Sequence, residues 1–294
     1  MGLVTIAKAD MSSPFHAVVY PVRFRVLPRR GSATATATVP FDAVLDNIIA
    51  YLDDLLSPAS FEDYGPNGVQ VPGPDGVRTV VTGVSASAEL FERAAEQGAD
   101  LVLVHHGLLW SGAPLALTAA AKRRLQLLFD NDMALAAYHL PLDGHPEVGN
   151  NALIADGLGC ASHEPFALHR GSAIGVAARF AGDGITAADL VDRAHRLTGR
   201  EPLSFQAGPE RVRTIGIVSG AGADYLGDAI GAGLDAFLTG EPAERVMTHA
   251  QEEGIHFLAA GHYATETFGV RRLGDLLAER FGIRHAFVDV PNPI

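Results

Sequence analysis

The sequence predicts an α/β fold made of two pseudo-symmetric α/β lobes that arise from an internal duplication. Three observations carry this. Strand-type and helix-type patterns alternate along the chain, as in a parallel sheet with helical crossovers. The stretch VRTVVTGVSASAELFERAAEQGADLVLVHH, from Val77, aligns with VRTIGIVSGAGADYLGDAIGAGLDAFLTGE, from Val212, at a constant offset of 135. Further on, AYHLPLDGHPEVGNNALIADGLG, from Ala137, aligns with AGHYATETFGVRRLGDLLAERFG, from Ala260, at an offset of 123. The first pair matches Gly98 with Gly233, Asp100 with Asp235 and Leu103 with Leu238. The second matches His139 with His262, Asp143 with Glu266, Leu153 with Leu276 and Gly159 with Gly282. Both alignments keep their order along the chain, so one unit occurs twice.

The elements follow in order. FDAVLDNIIAYLDDLL (41–56) has apolar residues at helical spacing, and SPAS stops it. YGPNGVQV (64–71) holds a Pro-Asn-Gly turn signal that leads into an extended segment. VRTVVTGVS (77–85) reads as strand, ASAELFERAAEQG (86–98) as helix with Gly98 at its C-cap, and ADLVLVHH (99–106) as buried strand. Pro141 predicts an extended loop around Asp143. TETFGVRRLGDLLAERF reads as helix, with His262 and Glu266 near its start on one face.

The bulk numbers set bounds. The 294 residues suit one large domain or two lobes, and 48% apolar content supplies a core. Residues 1–40 carry five basic side chains against Asp10 and end in GSATATATVP, so they read as a disordered extension or linker. The two-lobe domain is expected over 41–294, lobe 1 at about 41–160 with part of the C-terminal end and lobe 2 at about 161–294. The net charge of −12 argues against broad binding to nucleic acid or anionic lipid. No apolar run reaches the roughly 18–20 residues of a membrane span. The single cysteine, Cys160, forbids an intrachain disulfide and a thiolate-rich zinc site, and fits a cytoplasmic location.

The chemistry gathers in a few residues. His105 and His106 end an apolar strand, and ligands in open α/β sheets bind outside the carboxyl ends of strands. The strand-to-loop transition at Gly107 is expected to turn both imidazoles into one cleft. Each lobe adds a histidine followed four residues later by an acid, His139 with Asp143 and His262 with Glu266. Imidazole and carboxylate ligands suit zinc, manganese, iron, cobalt or nickel. His105, His106, Asp143, His262 and Glu266 exceed the needs of one four-coordinate ion and suit two divalent ions, roughly 3.5–4 Å apart, between the lobes. His139 is expected to act catalytically as a proton shuttle, with ligation left open. His145, His163, His169, His195, His249, His256 and His285 read as surface or structural, and Trp110 as packing beside the site. SGAGAD (219–224) reads as a tight strand-to-helix turn, with a small anion nest as the alternative. There is no nucleotide P-loop, no H-E-x-x-H and no G-x-S-x-G.

LVLVHHGLLW, YHLPLDGHPEVGNN, FLTGEPAERVMTHA and AAGHYATETFGV, in this order, resemble the dinuclear-metal-centre family of GTP cyclohydrolase I type 2 homologues, also called NGG-interacting-factor-like. The resemblance covers roughly residues 41–294 in the short form, without a long insertion between lobes. It implies metal ligation by His105, His106, Asp143, His262 and Glu266, with Glu266, and Asp143 as a second candidate, bridging the ions. It also implies a toroidal homohexamer and a hydrolase acting on a purine nucleotide such as GTP. The competing reading is a non-enzymatic metal-binding regulatory or scaffold hexamer, because no cluster of Arg and Lys for a triphosphate accompanies the motifs beyond Arg271 and Arg272.

Overall fold

The computed structural model describes residues 43–294, so the extension expected over 1–40 lies outside the described residues. In chain order the elements are α1 (Leu45–Leu56), β1 (Gly68–Val71), β2 (Thr79–Ser85), α2 (Ala88–Glu96), β3 (Leu101–His106), α3 (Ala119–Asp130), β4 (Ala134–Ala137), α4 (Leu140–Gly144) and α5 (Asn150–Leu158). There follow β5 (Cys160–His169), β6 (Ser172–Phe180), β7 (Ile185–Thr186), α6 (Ala187–Thr198), β8 (Leu203–Phe205), β9 (Arg211–Val212) and β10 (Thr214–Val218). The chain closes with α7 (Leu226–Gly231), β11 (Ala236–Thr239), α8 (Val246–Glu253), β12 (His256–Ala259), α9 (His262–Thr265), α10 (Thr267–Phe281) and β13 (Arg284–Phe287).

Eleven of these strands form two larger sheets, and β7 pairs with β9 in a separate antiparallel ladder. The first sheet has the order β1-β4-β3-β2-β13, with β4, β3, β2 and β13 parallel and β1 antiparallel at the edge. The second has the order β5-β6-β10-β11-β12-β8, with a parallel β10-β11-β12 centre between antiparallel neighbours. Alternation along β3 explains its continuous apolar run. Leu101 and Leu103 pack with α1 and α10, while Val102 and Val104 pack on the opposite face with α2 and α3.

The two parallel centres are consistent with a duplication. Thr79 and Thr214 open β2 and β10, and Leu101 and Ala236 hold equivalent ladder positions. In the next strand the ladders match Ala134 with His256, one residue off the alignment that pairs Ala137 with Ala260. Gly261, at φ 97°, accommodates the extra residue just before His262.

α1 forms because Leu45, Ile48, Leu52 and Leu56 recur every three or four residues on one buried stripe, and Ser57 ends it in a left-handed conformation. α10 positions the site. Its Val270, Leu273 and Leu277 are fully buried against the first sheet, each contributing about 1.5–3 kcal/mol of burial. The chain reaches α10 directly from β12 of the second sheet, so α9 and α10 span from one sheet to the other. Asp143 differs from its expected setting. It lies on the short helix α4 and not in an extended loop, because Pro141 occupies the first helical turn, where its missing N–H has no partner to lose.

Candidate metal centre

The carboxyl ends of β3, β4 and β12 converge, and the candidate residues meet there. His105 and His106 are the last two residues of β3 itself, so no loop is needed to turn them. Alternation gives the two imidazoles opposite faces, yet their ring centroids lie 4.7 Å apart. The Glu266 carboxylate receives both. His105 Nε2 is 3.5 Å from Oε1 and His106 Nε2 is 3.3 Å from Oε2. His262 Nε2 approaches the same Oε2 at 3.1 Å, and Asp143 Oδ2 lies 3.5 Å from His105 Nε2. His139 closes the cluster, with its ring centroid 4.9 Å from that of His105.

Outer partners fix these side chains. His105 Nδ1 faces the Tyr138 carbonyl oxygen at 3.0 Å, which assigns the proton to Nδ1 and leaves Nε2 as the inward nitrogen. Ser85 Oγ meets His106 Nδ1 at 3.0 Å, and Glu241 bonds to His262 Nδ1. Glu241 aligns with His106 at the offset of 135, and it serves outside the cluster. Asp143 Oδ1 accepts hydrogen bonds from Asn150 Nδ2 at 2.8 Å and Ser219 Oγ at 3.0 Å. His139 Nδ1 is 2.7 Å from Asp63 Oδ1, and its backbone N–H donates to Asn67 Oδ1 at 2.8 Å.

Sequence reasoning missed Asp63, Asn67, Asn150 and Glu241. Asn67 was legible only as a turn residue. Asn150 and its neighbour Asn151 are fully buried, and two adjacent asparagines at the start of a buried helix are the one signal that marked them. Asn150 also accepts from the Gly269 N–H at 2.8 Å, tying Asp143 to α10. Asn150→Ala would leave that buried N–H without a partner. It is expected to cost about 1–3 kcal/mol of stability in urea unfolding and to weaken metal binding about 10–100-fold in chelator competition.

Three of the six backbone N–H groups of SGAGAD are taken up by side chains within the fold. The N–H groups of Ser219, Gly220 and Gly222 donate to Asn151 Oδ1, Thr265 Oγ1 and Thr239 Oγ1, so none of these three is available to an anion. The segment forms the expected strand-to-helix turn.

The donors fit a metal. His105 Nε2, His262 Nε2 and Glu266 Oε2 are buried without a hydrogen-bond partner; their contacts are close but not aligned for one. Three overlapping triads, His105-His106-His139, His106-His262-Glu266 and His105-Asp143-Glu266, each bring ligand atoms within 4.8 Å of one another. Gly220, at φ 61°, leaves the space beside Glu266: a Cβ there would fall 2.2 Å from Glu266 Oε1. The set contains imidazole and carboxylate only, which suits zinc and the mid-row transition metals.

Without a cation, protons compensate. Burial opposes a charge on His105, but the Asp143 and Glu266 carboxylates overcome it and push the imidazole up to about 9. Burial likewise opposes a charge on His262, and Glu266 followed by Glu241 push it up to about 9. Burial dominates at His106, pulling it down to about 3. Glu266 stays ionised against its burial because His105 and His106 hold it well below the usual carboxylate range.

This is an α/β protein with a buried, carboxylate-centred cluster of imidazoles able to bind metal. The chain belongs to the Duf34/NIF3 (NGG1p interacting factor 3) family, which it matches over residues 43–293. A Pseudomonas aeruginosa protein named GTP cyclohydrolase 1 type 2 homolog is 44% identical over 249 residues, covering 85% of this chain and 98% of that protein. A Deinococcus radiodurans protein of the same name is 39% identical, covering 84% and 93%. Among solved structures, protein ybgI, described as of unknown function, superposes with a TM-score of 0.80 at 36% identity, covering 85% of this chain and all of that one. TTHA1606 from Thermus thermophilus gives 0.78 at 39% identity with the same coverage. No helix among the described residues is long and apolar enough to cross a membrane.

Proposed function

We propose that the protein is a metal-dependent hydrolase in which His105, His106, Asp143, His262 and Glu266 hold two divalent ions. The observation that carries this reading is the position of the Glu266 carboxylate. One oxygen faces His105 and the other faces His106 and His262, so the two oxygens would be available to two ions. Ions held there supply Lewis acidity, acidifying water and polarising a substrate atom.

The cluster is open on one side, which favours catalysis over a purely structural site. His106, His139, Asp143, His262 and Glu266 line a cavity of about 540 Å³, within the range of small-molecule sites. The relatives' names contain GTP cyclohydrolase, so hydrolysis of a C–N bond in a heteroaromatic ring is the proposed reaction class.

His139 is the residue proposed to move a proton. Asp63 is held below its usual range, chiefly by His139, despite its burial, and it bonds to His139 Nδ1. That leaves Nε2 as the nitrogen free to exchange protons with water or substrate. Asp63 acts as a positioning residue. In Asp63→Asn, kcat is expected to fall about 10–100-fold with metal content unchanged. Steady-state kinetics with elemental analysis checks both. Loss of metal in this variant would make His139 a ligand and end its role as a proton carrier. The reading as a whole is tested by screening metal-loaded protein against cyclic amidine and nucleoside substrates. Turnover that disappears with a chelator and returns with metal supports it, and a protein that binds no metal contradicts it.

A further inference from the structure

The same cavity has walls that the metal cluster does not use. Tyr64, Trp110 and Tyr225 line it together with the imidazoles. These walls are fixed in place. The Ser111 N–H donates to the Tyr64 carbonyl at 2.6 Å, joining the segments that carry Tyr64 and Trp110. Gly65 lies so close to the second segment that a Cβ would meet the Leu109 carbonyl oxygen at 2.4 Å. The Trp110 indole N–H donates to the Gly107 carbonyl at 3.0 Å, which sets the ring orientation. The Tyr225 hydroxyl is bonded to His169 Nδ1 at 3.1 Å. Both Tyr64 and Trp110 flank His139, at 6.1 Å and 5.2 Å between ring centroids.

The charge of the lining is equally informative. None of the residues around this cavity is Arg or Lys. Arg170 lies over the Tyr64 ring at 6.0 Å, but it is ion-paired with Glu62. Arg196, Arg200 and Arg271 gather in a different cleft of about 990 Å³ that shares no lining residue with the metal cavity. Beyond His262 and the proposed ions, a triphosphate extending from a ring at the metal cluster would find no Arg or Lys among the lining residues to neutralise it, and recognition of phosphate rests largely on such groups.

We propose that Tyr64 and Trp110 make the cavity a slot for an uncharged, flat heteroaromatic ring, a free base or nucleoside, and that the protein does not recognise a nucleoside triphosphate there. Stacking on these rings supplies affinity without selecting for charge. The inference rests on the proposed metal-hydrolase site for its catalytic consequence, but the stacking itself needs no metal.

Trp110 is the only tryptophan in the chain, so tryptophan emission, excited selectively over the six tyrosines, reports this wall alone. The full-length protein is titrated with guanosine, GTP, ribose and inorganic triphosphate, metal-loaded and chelator-treated, with bound metal measured in each sample. Guanosine is expected to change Trp110 emission saturably, GTP to bind no tighter than guanosine, and ribose and inorganic triphosphate to neither bind nor compete. Tyr64→Ala is expected to weaken guanosine about tenfold while retaining metal, and Tyr64→Phe to restore binding. Tyr64 is 46% exposed, so the variant should remain folded, which thermal unfolding checks. GTP binding tenfold tighter than guanosine, displacement of guanosine by triphosphate, no guanosine response, or an unaffected Tyr64→Ala would each overturn the proposal. Guanosine binding by a protein that takes up no metal would support it while ending the hydrolase reading.

Discussion

Glu266→Gln is expected to empty the metal centre. Three imidazoles approach this one carboxylate, at 3.1, 3.3 and 3.5 Å. A carboxamide preserves the shape but removes the charge and presents an N–H₂ group towards nitrogens that should point their lone pairs at a cation. Mutating an outer partner of a metal ligand already costs about 10–100-fold in affinity. Loss of the central carboxylate should therefore weaken binding by more than about 100-fold and remove any metal-dependent turnover. The variant should still fold, because the α10 residues buried in the core are untouched. The rise in Tm on adding metal should vanish while the metal-free Tm remains measurable. Elemental analysis after dialysis and thermal unfolding with and without metal check the two halves. A variant that retains its full metal complement would remove Glu266 from the centre.

The second large effect is a pH dependence of the metal-free protein that bound metal cancels. In the metal-free protein His105 and His262 are both raised from 6.5 to about 9. A histidine whose folded value lies above its unfolded value stabilises the fold fully below the unfolded value, and that contribution is lost as pH rises through the folded one. Chelator-treated protein should therefore lose stability between pH 6.5 and about 9. Metal ligation requires the neutral imidazole, so these two protons must leave on binding. Metal affinity should rise over the same window, with proton release approaching two per chain at its lower end. His106 is pulled down to about 3 and is already neutral, so it adds nothing to this dependence. Thermal unfolding across the window should show the gap between metal-loaded and chelated protein widening with pH. A constant gap would show that no proton is exchanged for metal at these two histidines.

The residues nearest the centre were legible in the sequence because their chemistry is unusual there. A buried strand rarely ends in two imidazoles, and the repeat aligned His139 with His262 and Asp143 with Glu266. The structure brings all six candidates into one cluster. The α/β alternation was legible for the same reason, since the pattern changes from strand to helix period at each boundary. The supporting residues were hidden by distance along the chain. Asp63 reaches His139 across 76 residues, and Asn150 reaches Gly269 across 119. Neither pairing leaves a local spacing to read. Asn67 was concealed by an ordinary role, since a residue in a turn signal needs no further explanation. Glu241 aligns with His106 at the offset of 135, but its bond to His262, 21 residues further on, leaves no spacing to read.

The most direct test is anomalous diffraction from crystals of metal-loaded protein, collected on both sides of the absorption edge of the metal that elemental analysis identifies. Two anomalous peaks are expected among His105, His106, Asp143, His262 and Glu266, with the Glu266 carboxylate in contact with both. Anomalous density elsewhere on the protein, or none within that cluster, would contradict a metal centre at the junction of the two sheets.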